Sequence, residues 1–146
     1  MSGTPPQSGS LIRYAYLWAD EHAAGREEGV KDHPALVLAL AVRAVGNETQ
    51  VLVLAVTHSP PRDPSDAVSF PTAEQQRLGL DDDPAWIVTT EGNAFVWPGP
   101  DIRPVPNRPA GTLTYGQVAL PVLRQAARSY LVNREKQRSR VIERTE

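Results

Sequence analysis

Two histidines and two hydroxyl residues stand at the ends of two apolar runs. His33 precedes Pro34 and the run Ala35 to Val42, while Thr57, His58 and Ser59 close the run Val51 to Val56. Imidazole titrates near neutrality and can take or give a proton at physiological pH. Hydroxyl groups both donate and accept hydrogen bonds. A carboxylate, Glu91, closes a third apolar run, Ala85 to Thr90, where a charge is expensive unless it is paired or exposed at a site. Asp81, Asp82 and Asp83 are adjacent, but they lack the order of a calcium loop and read as a solvated turn, so no metal site is expected. There is no HExxH, no Gly-rich phosphate loop and no nucleophile elbow. Cysteine is absent, which excludes thiol catalysis, Cys zinc sites and disulfides and suits a reducing cytosol.

The elements that must position these groups are two strands. Ala35 to Val42 and Val51 to Val56 are short, continuous and rich in Val and Leu, the signature of strands buried on both faces. The Gly46-Asn47 break between them is hairpin-like. A hairpin brings Thr57 back beside Pro34 to Val37, so His33, Thr57, His58 and Ser59 share one rim. Two readings of that rim stay open: a functional site held at the end of a rigid hairpin, or two polar loops meeting in solvent.

A chain of 146 residues with 40% apolar and 22% charged residues fits one domain with a core of ordinary size. No apolar run reaches the ~18 residues of a membrane span. Met1 to Ser10 is Ser/Gly/Pro-rich and reads as a disordered lead-in, not a signal peptide. The net charge of −2 gives no bulk signal for nucleic acid. Its distribution is uneven: the stretch Asp63 to Asp83 is acidic, and Arg124 to Arg144 is basic.

Leu11 to Trp18 alternates, with Ile12, Tyr14, Tyr16 and Trp18 on one face, and predicts a half-buried strand. Ala19 to His33 loses apolar periodicity and predicts a long loop. Ala67 to Phe70 predicts a short strand. Thr72 with Gln75 predicts a capping box ahead of a short helix that Gly79 stops. Ala85 to Thr90 and Ala94 to Trp97 predict strands joined at Glu91-Gly92-Asn93, and Ile102 to Val105 a brief one. Pro121 fits the first turn of a last helix whose inward stripe is Leu120, Leu123, Ala127, Tyr130 and Leu131. The sum is a mainly β fold: five to seven short antiparallel strands in a strongly bent sheet or barrel, with a C-terminal helix.

This pattern resembles the MazF/PemK (Kid) family of bacterial toxins. Four features carry the likeness: Gly25-Arg26-Glu27-Glu28-Gly29 leading to His33-Pro34 and an apolar strand; Val53 to Val56 ending on Thr57; Trp86 to Thr90 closing on Glu91; and Leu120-Pro121 opening the last helix. The resemblance implies an SH3-like barrel over residues 11–133, after a lead-in of residues 1–10 and before a basic tail of residues 134–146. It implies a cytoplasmic, metal-independent endoribonuclease without cofactor that cuts single-stranded RNA, forms a homodimer and is neutralised by a cognate antitoxin. By position it implies catalytic roles for His33, Thr57 and Glu91. His33 stands where the family usually has arginine, and Ala94 where related sequences can carry arginine. Arg26, Lys31, His58 and Ser59 are then the nearest RNA-binding groups, with Trp18 or Trp97 available to stack on bases. These departures also admit a weakened or inactive barrel that binds RNA or a protein partner, and, third, a protein-targeting toxin like CcdB.

Overall fold

The structure, a computed structural model, describes residues 5–18, 32–43, 46–136 and 140–144. The chain runs β1 (Ser10–Tyr14), β2 (His33–Val42), β3 (Thr49–Thr57), a 3-10 turn (Pro64–Asp66), β4 (Ala67–Phe70), α1 (Thr72–Arg77), β5 (Ala85–Val88), β6 (Glu91–Val96), β7 (Ile102–Arg103), β8 (Thr114–Gln117), α2 (Leu120–Glu135) and β9 (Arg140–Glu143). The fold is mainly β, one nine-stranded sheet with a C-terminal helix. No helix among the described residues is long and apolar enough to cross a membrane. The expected loop 19–31 lies outside the described residues.

The central hairpin forms as the apolar runs predict. β2 and β3 pair antiparallel from Ala35 opposite Ala55 to Val42 opposite Thr49. At the turn Gly46 and Asn47 take φ of +80° and +56°, left-handed values that Gly and Asn adopt more cheaply than other residues. Both faces are covered along Ala35–Val37 and Val53–Val56, but β2 does not stay buried on both faces as its apolar run predicts: Ala39, Ala41 and Val42 are exposed. Leu36, Leu54 and Val56 enter one cluster, with Leu11, Val122 and Tyr130. Ala35, Val37, Val51, Val53 and Ala55 enter another, with Ile12, Tyr14, Tyr16 and Phe95. Period-two alternation sends neighbours to opposite clusters. A bulge in β2 between Val37 and Ala39 shifts this parity, so Leu40 packs beside the second cluster. Burying each large aliphatic side chain contributes about 1.5–3 kcal/mol.

The expected barrel is an open, forked sheet. The far edge of β3 is shared: Gln50–Val53 pair with β6, while Val56 and Thr57 pair with β5. β5 continues to β4 antiparallel, and β6 continues to β9 in parallel. β1 divides likewise, between β8 along Ser10–Ile12 and β7 along Arg13–Tyr14. Among the described residues no ladder joins the two ends of the sheet.

Several local expectations need correction. Glu91, Gly92 and Asn93 are not a link but the start of β6, and β5 and β6 each pair with β3 instead of each other. Thr72 is the first residue of α1, after an N-cap at Pro71 that makes no side-chain bond. Gln75 does not close a capping box: it is buried and donates to the carbonyls of Asp81 and Asp83. In α2 the buried stripe is Val122, Ala126, Tyr130 and Asn133, leaving Leu120 and Leu131 53% and 59% exposed. A polar anchor sets that phase. The Asn133 amide donates to Ser65 O and to Thr89 Oγ1, so the helix turns its amide inward and two leucines out.

The segment read as a basic tail contributes β9 to the sheet. It also buries Arg144, which donates to Asn93 Oδ1, Ala15 O and Asp101 Oδ2. Asn93, fully buried, holds the main chain of Leu17 by both its N–H and its C=O, at 2.9 and 2.8 Å. That clamp fixes residues 15–18 beyond the last rung of β1.

Candidate functional site

An open cleft of about 610 Å³ lies at the end of the central hairpin, within the size range of small-molecule sites. The β2–β3 register sets Ala35 opposite Ala55. Two residues further along each strand stand His33 and Thr57, and the same offset puts them on one rim. His33, Thr57, His58 and Ser59 all line the cleft, so the meeting predicted from the hairpin is what the fold builds. Both strands are anchored on their outer sides too: Tyr14 of β1 pairs with His33 and Trp86 of β5 with Thr57.

The hydroxyl of Thr57 accepts the main-chain N–H of Ser59 at 3.1 Å. That bond closes a small turn and leaves the hydroxyl hydrogen to donate elsewhere. His58 is more constrained. Its Nδ1 meets the Pro84 carbonyl at 2.8 Å and its Nε2 meets Asp81 Oδ2 at 3.0 Å. Both partners are acceptors, so the protonated ring satisfies both at once. The Pro84 carbonyl first, and the Asp81 carboxylate after it, raise the His58 pKa above its ordinary value, with burial opposing them. His58 is therefore held in place by two acceptors and biased toward its protonated form. The His33 ring meets Trp18 edge-on, with centroids 5.7 Å apart, and Trp18 in turn leans on Tyr16. Trp97, by contrast, is buried in the second cluster, away from any stacking role.

Glu91 is not among the residues that line the cleft. It opens β6 opposite Arg140, and its charge helps push the buried Tyr16 phenol up, burial being the main cause. Ala94 is likewise buried on β6. Arg26 and Lys31 lie outside the described residues.

The fold adds two cations that the sequence reading missed. Arg13, from β1, and Arg108, from the loop before β8, both line the cleft with Tyr115 between them. Arg13 Nη1 donates to the Tyr115 hydroxyl at 3.2 Å, and the Arg108 guanidinium lies 5.6 Å from the Tyr115 ring centroid. The only sequence signal was the alternation that turned Arg13 away from Ile12 and Tyr14. Arg108 had none, because β8 is too short and polar to be seen.

Among the described residues, one group could hold a cation. Ligand atoms of His58, Asp81 and Asp83 lie within 4.8 Å of one another, all exposed. An ion there must first displace the Nε2 proton that Asp81 now holds. No protein-family model, no curated protein and no solved structure matches this chain.

Proposed function

We propose that this protein is a metal-independent endoribonuclease of the MazF/PemK type, cutting single-stranded RNA in this cleft. The observation that carries the reading is the convergence of His33, Thr57 and His58 on one cleft rim. Internal transesterification needs few groups. The 2′-oxygen attacks phosphorus, the bond to the 5′-oxygen breaks, and a cyclic phosphate and a free 5′-hydroxyl result. His33 moves one proton, taking it from the 2′-hydroxyl or delivering it to the 5′-oxygen, and solvent in the open cleft exchanges the other. Thr57 donates its hydroxyl hydrogen to a non-bridging oxygen, and His58 in its protonated form supplies positive charge tempered by its Asp81 partner. A mainly β sheet with a C-terminal helix packed on it also supports an SH3-like frame. The same reading brings a cytoplasmic homodimer and a cognate antitoxin as partners.

A specific observation favours a second reading. Glu91 lies off the cleft and both ring nitrogens of His58 are committed. One imidazole then stands for two proton transfers. A protein of that kind binds RNA and releases it intact.

Purified protein with fluorogenic single-stranded RNA in EDTA separates the two. The nuclease reading expects cyclic-phosphate ends from wild type and their loss in Thr57→Val. Intact RNA with wild type, or equal cleavage by Thr57→Val, refutes it. Binding without product supports the second reading.

A further inference from the structure

Arg108 is built into the cleft wall in an unusual way. Its Nη1 donates to Tyr115 O at 3.0 Å and, at the limit, to Thr114 O at 3.4 Å, while Nη2 donates to Leu78 O at 2.8 Å. All of these partners are neutral carbonyls, so they hold the guanidinium without cancelling its charge. Its Nε–H and second Nη2 hydrogen have no partner among the described residues.

The backbone is arranged around this side chain. Gly79 has φ of +76°, and a Cβ there would come within 2.9 Å of Arg108 Nη2. Asn107, the preceding residue, takes φ of +62°, and Val105 N closes the loop onto Thr112 O at 2.8 Å. Across Tyr115, Arg13 shares Asp32 with Arg103 at 3.6 and 3.8 Å. Those distances are charge contacts longer than hydrogen bonds. Two guanidinium groups thus bracket one phenol in a cleft wall, and one of them, Arg108, has no carboxylate partner among the described residues.

We infer that Arg108, supported by Arg13, forms a phosphate subsite for the nucleic-acid backbone, next to the position that His33 and Thr57 attend. This deepens the RNA reading above and rests on it. The planar fork of arginine offers paired donors to one phosphate. A guanidinium already tied on one edge loses little freedom when the other edge engages. Arg108 fixes where the strand runs and takes no part in proton transfer.

The test is salt-dependent binding of a fluorescein-labelled 2′-O-methyl RNA decamer, which lacks the attacking hydroxyl. Wild type binds, with log affinity falling linearly against log salt. Arg108→Met and Arg13→Gln should each bind about tenfold more weakly and lower the slope by about 0.7, the share of one phosphate contact on a single strand. Arg108→Lys should restore the slope with little of the affinity. Urea midpoints read alongside identify a variant that has merely lost its fold, and Arg13→Gln keeps the test open if Arg108→Met does so. Wild-type affinity and slope in both folded variants overturn the subsite while leaving cleavage by wild type as a separate fact. A wild type that neither binds the decamer nor cuts RNA overturns the subsite and the nuclease reading together.

Discussion

Arg144 and Asp101 form a buried ion pair at 2.8 Å, with side chains only 3% and 6% exposed. The pair ties β9 to the loop before β7. The other Nη of Arg144 reaches Ala15 O and Asn93 Oδ1, so the charge is solvated by the protein. Removing one partner strands the other in a low dielectric. Arg144→Ala should cost about 3–5 kcal/mol of unfolding free energy, read from urea denaturation. The double variant with Asp101→Leu should recover part of that loss, since it leaves no lone charge. An Arg144→Ala midpoint equal to wild type would remove the pair from the list of stabilising contacts.

The clamped imidazolium makes stability depend on pH. In the unfolded chain His58 titrates near its ordinary value of 6.5, and in the fold it holds its proton to higher pH. The extra stability is whole below that unfolded value and is lost as pH rises through the folded one. His58 and Asp81 are 52% and 60% exposed, so solvent and salt trim the effect. Urea midpoints across this range should fall with pH in wild type and stay flatter in His58→Gln. The same slope in both proteins would locate the titration elsewhere.

The cleavage reading separates the rim residues by their pH profiles. His33→Gln should lower kcat/KM by about 10²–10⁴-fold, the usual share of a general acid or base, and remove a limb of the profile. Thr57→Val should lower kcat/KM as well, with the limbs unmoved. Profiles that keep both limbs in His33→Gln would assign the proton transfer to another group.

Gly79→Ala tests the packing of the cleft wall. The left-handed backbone costs a non-glycine residue about 1–2 kcal/mol, and the methyl also crowds Arg108. The variant should lose at least that much stability and bind the 2′-O-methyl decamer more weakly. An unchanged Tm would show that the loop relaxes without strain.

What the sequence made legible was set by apolar pattern. β2, β3 and β4 follow from continuous or alternating runs, and the rim shared by His33 and Thr57 follows from the hairpin alone. What lay outside that pattern was not visible. β8 is four residues long and contains a glycine, so it has no period to read. The phase of α2 was set by one buried amide, Asn133, which an apolar count treats as solvent-facing. Glu91 ended an apolar run and so looked like a site residue. In the fold that run breaks between β5 and β6, and the carboxylate belongs to the second of them. Arg108 reached the cleft from a proline-rich stretch through main-chain carbonyls that no spacing rule encodes.

The bulge in β2 has a consequence for how this chain tolerates change in length. Val37 faces Val53, yet Ala39 and not Leu38 faces Leu52, so one strand of the hairpin carries a residue that its partner does not match. Excising one residue at the bulge, Leu38 or Ala39, would leave a ladder without interruption, in which every side chain beyond it keeps its face. A single-residue deletion away from the bulge would turn the strand beyond it inside out. Evolutionary shortening of the hairpin has its mildest address at that bulge.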